Sequence, residues 1–285
     1  MFAGLPVRTL LKETLDVFSL CTMIRNEGTQ GVLMNHTSSS SRGFGVVRLA
    51  GRVLLDMLYP PRCPVCERIL LPEETLVCRQ CADSLPYVEE PFCMCCGKPL
   101  LHPEKELCAD CETRGHLFHE GRAVFLYEKK LRLSVNRMKF LNRREYIPFF
   151  GKCLSDLYAG MQPFWRAQCL VPVPMHPKKR AMRGYDQAVL LARALSAECG
   201  LPVEENLLVR TRLTQSSKKL GRSERRKNLR GVFRIHPEAV IVQSVILIDD
   251  IYTTGATMDE AARTLRSAGV ERVFFLTLCV GRGSV

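Results

Sequence analysis

Val245-Ile246-Leu247-Ile248-Asp249-Asp250-Ile251-Tyr252-Thr253-Thr254-Gly255-Ala256-Thr257 is the stretch around which the rest of the chain is organised. Val245–Ile248, apolar and mostly β-branched, read as a buried strand, too short and too bounded for a helix. Two carboxylates follow at its carboxyl end, where open α/β sheets place their ligands. A turn of small residues comes next, then a helix. Thr257-Met258-Asp259-Glu260 has the capping-box pattern, Met258, Ala261, Ala262, Leu265 and Ala268 keep helical spacing, and Gly269 is the stop. Unpaired backbone N–H groups at that helix start, with the hydroxyls of Thr253, Thr254 and Thr257, make a cradle for a phosphate. Gly255 lets the backbone approach it closely. Asp249 and Asp250 are expected to face outward beside the cradle, as acceptors for vicinal hydroxyls or a Mg²⁺-bound sugar.

This stretch resembles the motif with which type I phosphoribosyltransferases bind phosphoribosyl pyrophosphate (PRPP): apolar strand, two acids, two residues, Thr-Thr-Gly-x-Thr. The resemblance implies that Asp249 and Asp250 take the ribose hydroxyls and that Thr253, Thr254, Gly255, Ala256 and Thr257 hold the 5′-phosphate. A response-regulator receiver also ends its first strand in paired aspartates. It carries them near its N-terminus, however, and has no need of Thr-Thr-Gly-x-Thr. Purine-base transferases often have an acid where Thr253 stands, so a purine acceptor is disfavoured.

The 285 residues suffice for one or two domains with a sizeable core. With 46% hydrophobic and 25% charged residues, the composition is that of an ordinary globular protein. The net charge of +12 points to anionic partners: phosphorylated small molecules, nucleic acid or an anionic surface. No run approaches the ~18 apolar residues of a membrane span. The first residues mix Arg8 and Lys12 with Glu13 and Asp16, so no signal peptide is expected.

Leu5 to about Ile24 reads as a modest amphipathic helix. Asn26 to Gly45, with Ser38–Ser41, reads as a disordered linker. Helical spacing resumes at Val46 and stops at Pro60-Pro61. Cys-x-x-Cys then occurs at Cys63/Cys66, Cys78/Cys81, Cys93/Cys96 and Cys108/Cys111, each pair fifteen residues after the last. The first and third pairs each follow a proline, Pro61 or Pro91, so the repeating unit is about thirty residues with two pairs. Four thiolates complete a closed tetrahedral Zn²⁺ site of the structural kind. The expected sites are Cys63/66/78/81 and Cys93/96/108/111. Equal spacing also permits the crossed pairing, first with third and second with fourth. Disulfides are the competing reading; metal-ligand spacing favours zinc and a reducing, cytoplasmic compartment. Cys95, Cys21, Cys153, Cys169, Cys199 and Cys279 are spare, with packing roles. With both sites filled by cysteine, His102, His116 and His119 are expected at the surface.

From His116 the texture is α/β. Arg122–Tyr127 suggests a strand, with helices near 130–141 and 146–160. Lys129, Lys130, Arg132, Arg137, Lys139, Arg143 and Arg144 form either a solvated helix face or a contact surface. Cys169–Pro174 is the next strand, followed by a loop with Lys178, Lys179, Arg180 and Arg183 and a helix from Tyr185 to Cys199. Basic groups there suit a pyrophosphate. Arg210–Arg230 holds nine Lys or Arg and one acid, Glu224. It suits a mobile lid, a nucleic-acid contact or a solvated loop. Arg272–Val280 reads as a buried closing strand.

Together, Pro172-Val173-Pro174, Arg183-Gly184-Tyr185, Arg225-x-x-Asn228, Gly231-x-Phe233, the acid-pair motif and the four cysteine pairs resemble the ComF competence family. Asp186 stands where that family usually has Asn. The resemblance runs from about Leu55 to the C-terminus and implies a type I phosphoribosyltransferase α/β fold preceded by a double zinc ribbon. The expected divisions are 1–58 (extension), 59–115 (ribbons) and 116–285 (phosphoribosyltransferase-like). PRPP with Mg²⁺ is the implied ligand, Lys178, Arg180, Arg183 and Arg225 are the pyrophosphate candidates, and DNA uptake is the implied role. The alternative is a non-catalytic protein that binds single-stranded DNA or a helicase-like ATPase and keeps PRPP as a ligand or relic.

Overall fold

The computed structural model describes residues 58–214 and 222–282, without the side chains of Arg222, Ser223, Arg225 and Arg226. The expected helix 5–24, the linker 26–45 and all but the end of the helical stretch 46–58 lie outside the described residues, as does 215–221 of the expected lid.

The ribbons come first, and the thirty-residue repeat is visible in their backbones. Cys63 N donates to Arg68 O (2.8 Å) as Cys93 N does to Lys98 O (2.7 Å). Leu70 N donates to Pro61 O as Leu100 N does to Pro91 O. The turn residue is left-handed in both, Glu67 at φ 63° and Gly97 at φ 69°. Each ribbon ends in a short helix opened by a cysteine, α1 (Arg79–Ala82) after Cys78 and α2 (Ala109–Arg114) after Cys108.

Strand β1 (Glu120–Leu126) follows, then α3 (Lys129–Phe140), α4 (Ile147–Trp165) and β2 (Cys169–Pro172). The basic segment after β2 is helical rather than a loop: α5 (Pro177–Arg183) starts where Pro177 takes the first helical position and His176 Nδ1 accepts from Lys178 N. Helix α6 (Gln187–Cys199) is capped by Asp186 through Ala188 N. Strands β3 (Leu208–Arg210) and β4 (Phe233–Ile235) pair antiparallel around α7 (Arg222–Leu229). Strand β5 (Ser244–Tyr252), α8 (Ala256–Ser267) and β6 (Arg272–Val280) complete the chain.

Four strands form a parallel sheet in the order β1-β6-β5-β2. Strand β5 is apolar on both faces because both are covered. Ile246 and Ile248 pack with α3, α4, α6 and the first ribbon, whereas Val245 and Leu247 pack with α8, the β3–β4 pair and the second ribbon. The ribbons therefore belong to the two cores. Strand β6 is buried inside the sheet between β1 and β5.

Two local expectations fail. Strand β5 runs on through the acids to Tyr252, because β6 continues alongside it and pairs Asp249 with Thr277 and Tyr252 with Val280. The capping box does not form: Gly255, at φ 78°, is the N-cap of α8, Thr257 lies inside the helix, and Glu260 accepts from Gly231 N instead. Among the described residues, no helix is long and apolar enough to cross a membrane.

Candidate functional site

The structure brings the cysteines together as Cys63/Cys66/Cys78/Cys81 and Cys93/Cys96/Cys108/Cys111, with all Sγ atoms of a set within 4.8 Å of one another. Crossed pairing is thereby overturned. Tetrahedral zinc with Zn–S bonds of about 2.3 Å sets its sulfurs about 3.8 Å apart. Cys66–Cys78 and Cys96–Cys108 stand at 3.7 Å and Cys108–Cys111 at 3.5 Å, so both sets fit the ion. None of the described cysteines forms a disulfide.

The acid pair lies at the carboxyl end of β5, beside β2. It departs from expectation in one respect: Asp250 does not face outward. It is 4% exposed and forms an ion pair with Lys139 of α3, a side chain only 17% exposed. Gln187 Nε2, at the start of α6, approaches its other oxygen at 3.5 Å, and Gln187 Oε1 accepts in turn from Arg183. Asp249, half-buried, accepts from the Asp250 backbone N–H at 2.8 Å. Burial and the neighbouring Asp250 charge push the Asp249 carboxyl well above its ordinary value. Burial pushes Asp250 the same way, but the Lys139 ammonium and the bonds from Asp249 and Gln187 outweigh it and hold Asp250 low.

Of the pyrophosphate candidates, Arg183 reaches the acid pair through Gln187, whereas Lys178 and Arg180 stay exposed on α5. Arg225 lies on α7; its side chain is outside the described residues. Arg210 at the end of β3 donates to Thr214 at 2.7 Å; burial lowers its pKa against the opposing charges of Asp249 and Asp186, and burial with the Arg210 and Arg183 charges lowers that of Lys179, exposed on α5 like its neighbours. Asp186 accepts from Met175 N and Ala188 N, fixing the turn between β2 and α6.

Thr253–Gly255 form the turn from β5 into α8 and, with Ala256 and Thr257 of its first turn, surround a small cavity also lined by Leu229 and Tyr252. No side chain caps α8, so its first N–H groups face that turn. A Cβ on Gly255 would stand 2.7 Å from Tyr252 Oη and 2.8 Å from His116 Cε1. His116 is therefore no surface residue. Its side chain is 1% exposed, bonds Asp259 at 3.0 Å and stacks on Phe118. His119, by contrast, is exposed, and its Nδ1 accepts from Val273 N.

Lys139 had a signal in the sequence. Leu131, Val135 and Lys139 fall on one helical stripe, and the first two are buried. No sequence period marks Gln187, Arg210 or His116, which arrive through tertiary packing.

Residues 54–112 match the double zinc ribbon domain family, and residues 182–284 match the phosphoribosyl transferase domain family. The chain is 31% identical over 207 residues to competence protein ComFC of Bacillus subtilis, across 70% of this chain and 82% of that protein. The chain belongs to the ComF family. Other ComF-like relatives are competence protein F of Haemophilus influenzae, 27% identical over 221 residues (74% of this chain, 93% of that protein), and DNA utilization protein YhgH of Salmonella typhimurium, 27% identical over 229 residues (78% and 98%). This ComF chain thus combines a double zinc ribbon with a phosphoribosyltransferase domain on a parallel sheet.

Proposed function

We propose that this ComF-family protein binds PRPP with Mg²⁺ at the carboxyl end of β5 and acts in DNA uptake in the cytoplasm. One observation carries the reading: the acid pair is linked through Gln187 to the cationic Arg183 and leads through the Thr253–Gly255 turn into the uncapped start of α8, so a diol site there would adjoin both a pyrophosphate cation and a phosphate cradle. Asp249 and Asp250 would take the 2′- and 3′-hydroxyls. The Thr253–Thr257 turn would hold the 5′-phosphate with backbone N–H groups. Arg183, Lys179 and Arg210 would face the pyrophosphate and stabilise charge as it leaves C1.

The acid pair does not fit a directly bound Mg²⁺, because the Lys139 ammonium already sits on Asp250. Magnesium would arrive on the pyrophosphate, whose charge it screens. Phosphorus NMR of PRPP with protein and Mg²⁺, with and without nucleobases, tests the reading. Broadened PRPP resonances show binding, and free pyrophosphate shows turnover. Unchanged spectra at saturating protein contradict it.

A second reading is binding of single-stranded DNA or a helicase-like ATPase. It is favoured by the +12 charge, by the basic segments 129–144 and 210–230, and by relatives named for competence and DNA utilization. Affinity for single-stranded DNA should then fall steeply with salt, and Arg222, Arg225 and Arg226 changed to Ala should flatten the slope. Absence of binding at ~50 mM salt rejects it.

A further inference from the structure

We propose that Lys139 is the resident cation of the acid pair, a positioning residue that the first zinc ribbon holds against Asp250 so that the carboxylate is set for a ribose diol. This rests on the reading of Asp249 and Asp250 as the diol site.

A lysine is seldom buried without a partner. Lys139 is the only basic residue of α3 in line with Leu131 and Val135 on the stripe that packs into the core, and its ammonium ends on Asp250. Helix α3 is fixed from behind by the first Cys-x-x-Cys turn itself. Ser134 Oγ donates to Pro64 O at 2.5 Å and Arg137 Nη1 to Val65 O at 3.5 Å, and both carbonyls lie between Cys63 and Cys66. Arg137 also pairs with Glu67 at 2.9 Å, and Tyr146 Oη donates to Glu67 at 3.3 Å. In front, Arg183 lies 5.2 Å over the Phe140 ring while bonding Gln187, which turns to Asp250. The contacts close a ring from Lys139 through Asp250, Gln187 and Arg183 to Phe140, the residue after Lys139. Metal-organised backbone on one side and the pyrophosphate helix on the other thus meet at one ammonium.

The groups facing Asp250 are Lys139 from α3, Asp249 on its own strand, Tyr127 after β1 and Cys279 of β6, with Arg210 facing Asp249. Lys139 is the cation in contact with Asp250. With it removed, burial favours the protonated acid and only the bonds from Asp249 and Gln187 oppose it. The sign follows: Asp250 is held low now and would rise in its absence, so a function needing ionised Asp250 would fail at a higher pH as the solution is acidified.

The test uses full-length zinc-loaded protein as wild type, Lys139→Met and Lys139→Arg, with Lys139→Gln in place of Met should that variant not fold. Carboxyl-labelled aspartate and carbon NMR follow the Asp250 titration without any ligand. Ribose 5-phosphate, which has the diol and the phosphate but no pyrophosphate, is titrated by calorimetry at about pH 5 and about pH 7.5, either side of the rise expected of a buried unpaired carboxyl. In Lys139→Met the Asp250 midpoint moves up, and affinity at the lower pH falls about tenfold further than in wild type. Lys139→Arg restores both. A merely structural lysine would leave the midpoint in place, and that result overturns the proposal. A moved midpoint with ribose 5-phosphate affinity unchanged also overturns it, while wild-type binding of PRPP leaves the preceding reading intact. Wild type that binds neither ribose 5-phosphate nor PRPP defeats the PRPP reading and this inference with it.

Discussion

The first ribbon rests its Cys63–Cys66 turn on helix α3, and the second rests its Cys93–Cys96 turn on strand β1. In each, the two carbonyls between the cysteines are the acceptors. Pro64 O and Val65 O take Ser134 and Arg137 side chains, whereas Cys95 O takes the Gly121 backbone N–H at 2.8 Å and Met94 O takes Arg122 at 2.9 Å. A zinc knuckle points its inner carbonyls outward, so one metal geometry offers the same pair of acceptors twice. What differs is the element that answers. The helix carries Lys139 to the acid pair, while the segment after the second ribbon carries His116 to Gly255. The first ribbon therefore bears on the expected diol end of the site and the second on the expected phosphate end.

Loss of a zinc ligand is the coarsest way to break this comparison. Cys63→Ser or Cys108→Ser should each reduce the zinc content from two ions per chain to one and unfold the affected ribbon, because metal binding and folding are coupled. Since each ribbon supplies residues to one of the two cores, the melting temperature should drop in both variants. Metal analysis with calorimetric melting checks this; thiols found as disulfides without zinc contradict it.

A finer break uses the turn residue that the repeat makes equivalent. Position 67 already has a side chain at positive φ, but a Cβ on Gly97 would meet Gly121 O at 2.9 Å. Gly97→Ala should cost about 1–3 kcal/mol, from left-handed backbone and overpacking together. Denaturant unfolding measures it, and a neutral outcome means that the second ribbon can shift off β1.

The smallest expected effect sharpens the division between the two ends. Ser134→Ala removes the hydroxyl on Pro64 O and should cost about 1 kcal/mol of stability. It should weaken ribose 5-phosphate more than inorganic phosphate, since α3 carries Lys139 to the acid pair, the expected diol end. His116→Ala should do the reverse. Equal losses for both ligands in both variants would show that the ribbons do not divide the site.

Much of this was legible in the sequence because local rules dominate where they were applied. Cys-x-x-Cys spacing is a property of one turn, and the apolar run Val245–Ile248 could only be a strand covered on both faces. The helices 130–141 and 185–199 and the strand 272–280 were set by periodicity and came out within a few residues. The failures lie where distant segments compete for a local group. Glu260 forgoes the capping box for Gly231 N and Arg263, and Asp250 forgoes solvent for Lys139. His116 is taken from the surface by Asp259, 143 residues later in the chain. The choice between equal cysteine pairings was likewise open, because spacing alone is blind to which turns meet.

The most direct measurement is calorimetric titration of PRPP with Mg²⁺ into wild type and into Asp249→Asn with Asp250→Asn, circular dichroism confirming each fold. Asparagine keeps the shape of the pair and removes its charge. Each lost charge-assisted hydrogen bond is worth about 1.5–3 kcal/mol, so the double variant should bind at least about tenfold more weakly. Equal affinity in two folded proteins would mean that the carboxyl end of β5 is not where PRPP binds.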